Sequence, residues 1–126
     1  MSPVRIALPS CLPGGLDAAL DGHFGHCAIY TLVDVAEGRV QAVTTLPGLP
    51  HEAGGCLRAV AHLAAQGVTT LIAGGLGMRP LKGFNEAGIE VYRGAGLPDV
   101  GSAVQAHLEG ALPRFTLEFA CSHHAH

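Results

Sequence analysis

Short apolar runs separated by glycine- and proline-rich breaks run through the chain, strand-like in the first half and alternating between strand and helix periods in the second. Residues 4–8 are apolar around one arginine and stop at Pro9, which predicts a first strand. Residues 10–17 read as a loop by composition. Residues 28–35 are nearly all apolar and predict a second strand, central in its sheet and covered on both faces. Glu37-Gly38 turns the chain into a third strand over 39–45, so that the two form an antiparallel hairpin. A proline-rich loop follows over 46–52. From Gly54-Gly55 to Gln66 the spacing becomes helical, with Cys56, Val60, Leu63 and Ala64 on one face and Arg58, His62 and Gln66 on another, and Gly67 stops it. Residues 68–73 predict a buried strand. Gly74-Gly75-Leu76-Gly77 then leads to a second helix that has Pro80 in its first turn, turns Leu81, Phe84 and Ala87 inward and ends at Gly88. Residues 89–92 predict the last strand. Asp99 caps a third helix whose apolar face carries Val100, Val104, Leu108 and Ala111.

The resulting order, β-β-β-α-β-α-β-α, predicts an α/β domain with a mixed five-stranded sheet and helices on its faces: hairpin pairing in the first half, parallel pairing by right-handed crossovers in the second. The order resembles the ribonuclease H-like architecture. The first strand, however, carries no carboxylate for a two-metal site, and nuclease activity is set aside. The domain is expected over residues 1–115. Residues 116–126 read as a flexible tail without periodicity, ending Cys121-Ser122-His123-His124-Ala125-His126, which either binds transition metals or collects them adventitiously.

Composition narrows the class of function. A chain of 126 residues with 48% hydrophobic and 13% charged residues buries a core without disulfides. Its net charge of −3 and lack of a basic run exclude a nucleic-acid footprint. No apolar stretch is long enough to cross a bilayer, and the N-terminus lacks a charged-then-apolar signal pattern, so the expected location is the cytoplasm. Cys11, Cys27, Cys56 and Cys121 lie far apart with no Cys-x-x-Cys pair, which favours thiols over a disulfide framework and excludes a zinc ribbon.

Candidate chemistry gathers at one end of the predicted sheet. The loop over 9–27, the helix start at Gly54-Gly55-Cys56 and the turn from Gly74 to Gly77 all reach the crevice beyond the carboxyl ends of the parallel strands. Glycine turns before helices offer backbone N–H groups and a positive dipole end to an anion, and Arg79 and Lys82 add charge beside the second turn. A tight turn explains Gly74-Gly75-Leu76-Gly77 equally well, and the spacing fits neither a nucleoside triphosphate nor a dinucleotide site. Asp21-Gly22-His23-Phe24-Gly25-His26-Cys27 places two imidazoles and a thiol at the mouth of the second strand, a donor set that suits iron, copper and their sulfide clusters. His23 otherwise reads as a structural histidine. His26 and Cys27 enter the strand as neighbours and point to opposite faces, so both cannot serve one site. Phe24 is a core plug or a wall of the site. Cys56 is a small core residue, or a thiol activated by the helix start. His62 reads as solvated and His107 as structural.

Several stretches together resemble one family: Arg5-Ile6-Ala7-Leu8-Pro9, His23-Phe24-Gly25, Tyr30-Thr31-Leu32-Val33-Asp34-Val35, the helix opened by Gly54-Gly55, Leu71-Ile72-Ala73-Gly74-Gly75-Leu76-Gly77, and Phe84-Asn85-Glu86-Ala87-Gly88-Ile89-Glu90-Val91-Tyr92. In that order they are similar to the dinitrogenase iron-molybdenum cofactor biosynthesis family, the NifX/NafY-like domain. The resemblance implies a ribonuclease H-like fold without nuclease activity. It further implies a carrier of iron–molybdenum cofactor, its precursor or another metal–sulfur cluster, acting with cofactor-assembly or acceptor metalloproteins, in nitrogen fixation or outside it. The family's His-Phe-Gly histidine maps onto His23. Gly22 stands where many members have glutamate, which removes a partner for that histidine. Taken with the local chemistry above, the predicted site is His23, Phe24, Gly25, Gly54, Gly55, Gly74, Gly75, Gly77 and Arg79, with His23 and either Cys27 or His26 as metal ligands. Two rival readings remain: a small enzyme with Cys56 or Cys27 as nucleophile and a histidine base, and a regulatory module that has lost its ligand.

Overall fold

A computed structural model describes residues 4–21, 29–48, 55–94 and 96–116. The elements are β1 (Val4–Ser10), β2 (Ile29–Ala36), β3 (Arg39–Pro47), α1 (Gly55–Ala65), β4 (Thr70–Ala73), α2 (Met78–Glu86), β5 (Glu90–Arg93) and α3 (Val100–Leu108), in the order the sequence predicts. They form one mixed sheet of order β3-β2-β1-β4-β5. β2 runs antiparallel to β1 and β3, while β1, β4 and β5 are mutually parallel. β2 is an interior strand covered on both faces, as expected, while the middle position belongs to β1.

β1 also runs further than expected, through Pro9 to Ser10. The proline is tolerated because its polar edge faces away from β2: the Pro9 carbonyl accepts the Asp21 N–H at 2.9 Å, and a strand residue aims its N–H and C=O at the same neighbour. Pro9 opposite Tyr30 is thus a non-hydrogen-bonded pair, and no ladder bond is lost.

The three helices end alike. Val68, Ile89 and Ala111 each donate an N–H back to the carbonyl five residues earlier, on Leu63, Phe84 and Ala106. The intervening Gly67, Gly88 and Gly110 hold φ of 79°, 79° and 73°, the left-handed conformation this helix ending requires.

Two cores flank the sheet. α1 and α2 cover one face with Ala59, Val60, Leu63, Leu81 and Phe84 against Ala7, Tyr30, Leu32, Leu71 and Val91. α3 covers the other with Val100, Ala103 and Val104 against Ile6, Leu8, Val33 and Ile72. Three alanines expected inside are exposed: Ala64, Ala87 and Ala111. Ala64 yields its place on α1 to Ala59. Ala87 and Ala111 lie beyond the last residues of α2 and α3, where the helical period no longer applies. Leu108 is half-buried as expected of a face residue.

The chain that follows α3 is also part of the fold. The Pro113 carbonyl accepts the Arg93 N–H at 2.9 Å and the Phe115 N–H donates to Val91 O at 2.8 Å, so residues 113–115 line the free edge of β5. Phe115 is buried in the first core. Residues 117–126 lie outside the described residues.

Candidate anion site at the carboxyl end of the sheet

Each helix either feeds or follows a parallel strand and runs against it, so all three helices begin at the end of the sheet where β1 and β4 finish. There the partial positive charge of a helix start is available to an anion only where nothing in the protein already occupies its N–H groups. The start of α3 is closed. Val100 N–H donates to Ala18 O at 2.9 Å and Gly101 N–H to Leu16 O at 2.8 Å, both on the loop after β1. Asp99 then caps Ser102 N–H at 2.8 Å, a bond that also lowers the Asp99 pKa.

The start of α2 has no side-chain cap. Its N-cap is Gly77, which has no side chain to offer, and Pro80 in the first turn has no N–H. A cleft of about 450 Å³ opens here, lined by Gly77, Met78, Arg79, Pro80 and Lys82. Arg79 and Lys82 are exposed and form no ion pair among the described residues. The fold itself does not demand glycine at position 77: its φ of −74° is ordinary, and a methyl group there would meet only Pro80 Cδ, at 3.7 Å. The missing side chain leaves the cleft open above the helix start. Chemically this is a place for a polarisable or multiply charged anion, met by two cations and a helix dipole.

The other charged and titratable contacts lie elsewhere. Arg5 grips Asp34 through Nε at 2.7 Å and Nη2 at 3.1 Å and donates from Nη1 to Gln66 O at 2.8 Å, fastening β1 and β2 to the end of α1. The guanidinium holds the Asp34 carboxyl below its usual range. On the far side of the sheet His107 meets the Tyr92 ring edge-on, with centroids 4.5 Å apart, and Arg114 lies 5.5 Å over the same ring. Burial lowers the His107 pKa from 6.5, against the pull of Glu90. The unfolded chain therefore binds the proton first on acidification, and the native state loses stability as pH falls from about 6.5 through the depressed native value. Urea denaturation at pH 7.5 and pH 5 is expected to show this loss in wild type and a smaller one in His107→Gln; equal losses would mean that His107 titrates as in a free chain.

Of the residues predicted for the site, Gly74, Gly75, Gly77 and Arg79 come together at the β4–α2 turn, and Gly55 opens α1 at the same end of the sheet. His23, Phe24, Gly25, His26, Cys27 and Gly54 lie outside the described residues, as does the Cys56 side chain. Asp21 and Ile29, which bracket the His-Phe-Gly segment, are both at this end: Asp21 through its bond to Pro9, Ile29 through its pairing with Ser10. His62 is half-buried rather than fully solvated. Met78 and the loop-facing pair Ser10 and Thr31 were not singled out from the sequence. A hydroxyl at the buried end of an apolar strand was the available signal for the pair.

The sequence pattern of the family described as dinitrogenase iron-molybdenum cofactor matches residues 4–110. The fold is similar to that of the apo form of the orange protein from Desulfovibrio gigas, at 30% identity and a TM-score of 0.77, over 92% of this chain and 97% of that one. A protein from Thermotoga, provisionally described as NifB, is 29% identical with a TM-score of 0.68, over 90% and 97% of the two chains. A Methanocaldococcus jannaschii protein, provisionally described as a dinitrogenase, has a TM-score of 0.71 over 92% and 98%; at 18% identity it supports the fold alone. No curated protein matches the chain in sequence.

Proposed function

The chain belongs to the dinitrogenase iron-molybdenum cofactor family, and on that premise we propose that it binds and carries an iron–molybdenum cofactor, a precursor of it or a related anionic metal–sulfur cluster. The family is described by its cofactor, and the orange protein of similar fold is described in an apo form. The observation that carries the reading is the cleft at the start of α2, framed by Arg79, Lys82 and an N-cap glycine that offers no side-chain bond. It lies at the end of the sheet from which the His-Phe-Gly segment departs and to which it returns.

In this reading His23 supplies one imidazole ligand, Cys27 or His26 a second contact, and the backbone near Gly55 and Gly74 to Gly77, with Phe24, Gly25, Gly54 and Arg79, completes the cradle. Few covalent ligands and many electrostatic contacts suit a carrier, which has to release its cargo to an acceptor metalloprotein. The strand order 3-2-1-4-5, with β2 alone reversed, supports describing the architecture as ribonuclease H-like. A cytoplasmic location and a part in cofactor assembly for nitrogen fixation complete the proposal; among the described residues no helix is long and apolar enough to cross a membrane. We place the carrier domain at residues 1–115 and treat 116–126 as an appendage.

Anaerobic titration with tetrathiomolybdate, or with ferrous iron and sulfide, tests the reading. Wild type is expected to take up the guest in one-to-one ratio, and His23→Ala to hold it at least tenfold more weakly, since one direct ligand is gone. Equal loading of the two proteins would remove His23 from the site.

A further inference from the structure

Two hydroxyl side chains are completely buried where β1 and β2 meet the loop over 11–21. Ser10 and Thr31 are both 0% exposed. Ser10 Oγ lies 2.7 Å from Leu8 O, and because a carbonyl only accepts, Ser10 donates its one proton there. The 2.9 Å contact between Ser10 Oγ and Thr31 Oγ1 is therefore donated by Thr31. Thr31 Oγ1 in turn accepts the Gly15 N–H at 3.1 Å. The chain Gly15 to Thr31 to Ser10 to Leu8 runs one way, with every proton assigned, so each bond polarises the next.

What this chain holds is the path of the loop. At Gly14 the backbone passes so close that a methyl group would sit 2.8 Å from Thr45 Cγ2 and 3.4 Å from Thr31 Oγ1. Beyond the pin at Gly15, Leu16 O and Ala18 O take up the first N–H groups of α3, and Asp21 N–H ties back to Pro9 O. The segment that carries His23 starts directly after that tie.

We propose that Thr31 is a positioning residue for the ligand-binding segment: its hydroxyl fixes the route of residues 11–21 and with it the point from which His23 is delivered. The proposal rests on the carrier reading given above. Thr31→Val keeps the volume and β-branched shape but strips the hydroxyl, leaving the Gly15 N–H without its acceptor and Ser10 without its donor. The long registers of β2 with β1 and β3 are untouched by that change, so the expected effect is local. Thr31→Ser retains the hydroxyl and serves as the rescue.

The test uses the full chain, with tetrathiomolybdate titration, amide hydrogen exchange and urea denaturation on wild type, Thr31→Val, Thr31→Ser and His23→Ala. Thr31→Val is expected to weaken uptake roughly tenfold, the factor for one hydrogen bond of ordinary strength. Exchange at Gly15 and Gly101 should quicken by a similar factor while the β4 amides keep their rates, and Thr31→Ser should behave as wild type. Thr31→Val loading as well as wild type while His23→Ala does not would overturn the positioning role. So would a loss of uptake that tracks a general fall in the unfolding midpoint. If His23→Ala also loads normally, the carrier reading fails and this inference fails with it.

Discussion

Phe84→Ala is expected to lower the free energy of unfolding by about 3–5 kcal/mol, the range for a large aromatic removed from a packed core. Phe84 is 0% exposed and sits in the middle of the core that α1 and α2 share against the sheet. α2 has few other anchors: only Pro80, Leu81 and Phe84 of its nine residues are buried. Deleting the ring therefore removes the largest anchor of the helix that frames the cleft, and its neighbours are held by strands that cannot collapse into the space. Against a total stability of roughly 5–15 kcal/mol for a domain of this kind, the variant should remain folded at low temperature and unfold at a clearly lower urea midpoint. A loss below about 1 kcal/mol would show that α2 does not depend on this residue. Phe84→Leu, which keeps most of the apolar volume, should cost markedly less.

How much of this was legible in the sequence depends on the residue type that carried each signal. Large apolar residues reported their faces reliably: Val60, Leu63, Leu81, Phe84, Val100 and Val104 are all buried as their spacing predicts. Alanine did not: burial of Ala64 gains too little to fix a face, and Ala87 and Ala111 fall past the ends of their helices. Pro9 read as a strand end since proline lacks the ladder donor. Which edge of the strand that donor would have faced depends on the fold-back of Asp21, twelve residues on, and no local pattern encodes it. The pairing of residues 113–115 with β5 was invisible for a related reason: three residues are too short for a two-residue period to register, and Phe115 finds its place only through the tertiary fold.

The candidate site divides the same way. Glycines ahead of a helix and the cations that follow them pointed to the turn where the cleft opens, because turn chemistry and charge are local properties. The difference between the starts of α2 and α3 was not a local matter. Asp99 was recognisable as a cap, but that carbonyls of Leu16 and Ala18 complete the closure of α3 follows from a loop contributed by the opposite end of the chain. Only with that closure known does the start of α2, whose N-cap glycine makes no side-chain bond, stand apart from that of α3.

Reversing both charges at that opening, Arg79→Glu with Lys82→Glu, should have the largest effect on the guest. Both side chains are exposed and form no ion pair among the described residues, so the fold should change in stability by no more than about 0.5 kcal/mol. A unit charge roughly 6 Å from a unit anion contributes roughly 0.7–3 kcal/mol between the dielectric limits of water and a protein surface. Reversal turns two attractions into two repulsions, so even the lower figure predicts at least about a hundredfold loss of tetrathiomolybdate affinity at low salt. The Gln pair, which only neutralises, should lose roughly tenfold. Because exposed charges are screened over about 10 Å at 0.1 M salt, the gap between wild type and the Glu pair should narrow as salt is raised, whereas the His23→Ala defect, a lost direct ligand, should not. Salt titration thus separates the two halves of the cradle. If the Glu pair binds as tightly as wild type at every salt concentration, the anion does not sit at the start of α2, and Arg79 and Lys82 are merely solvated.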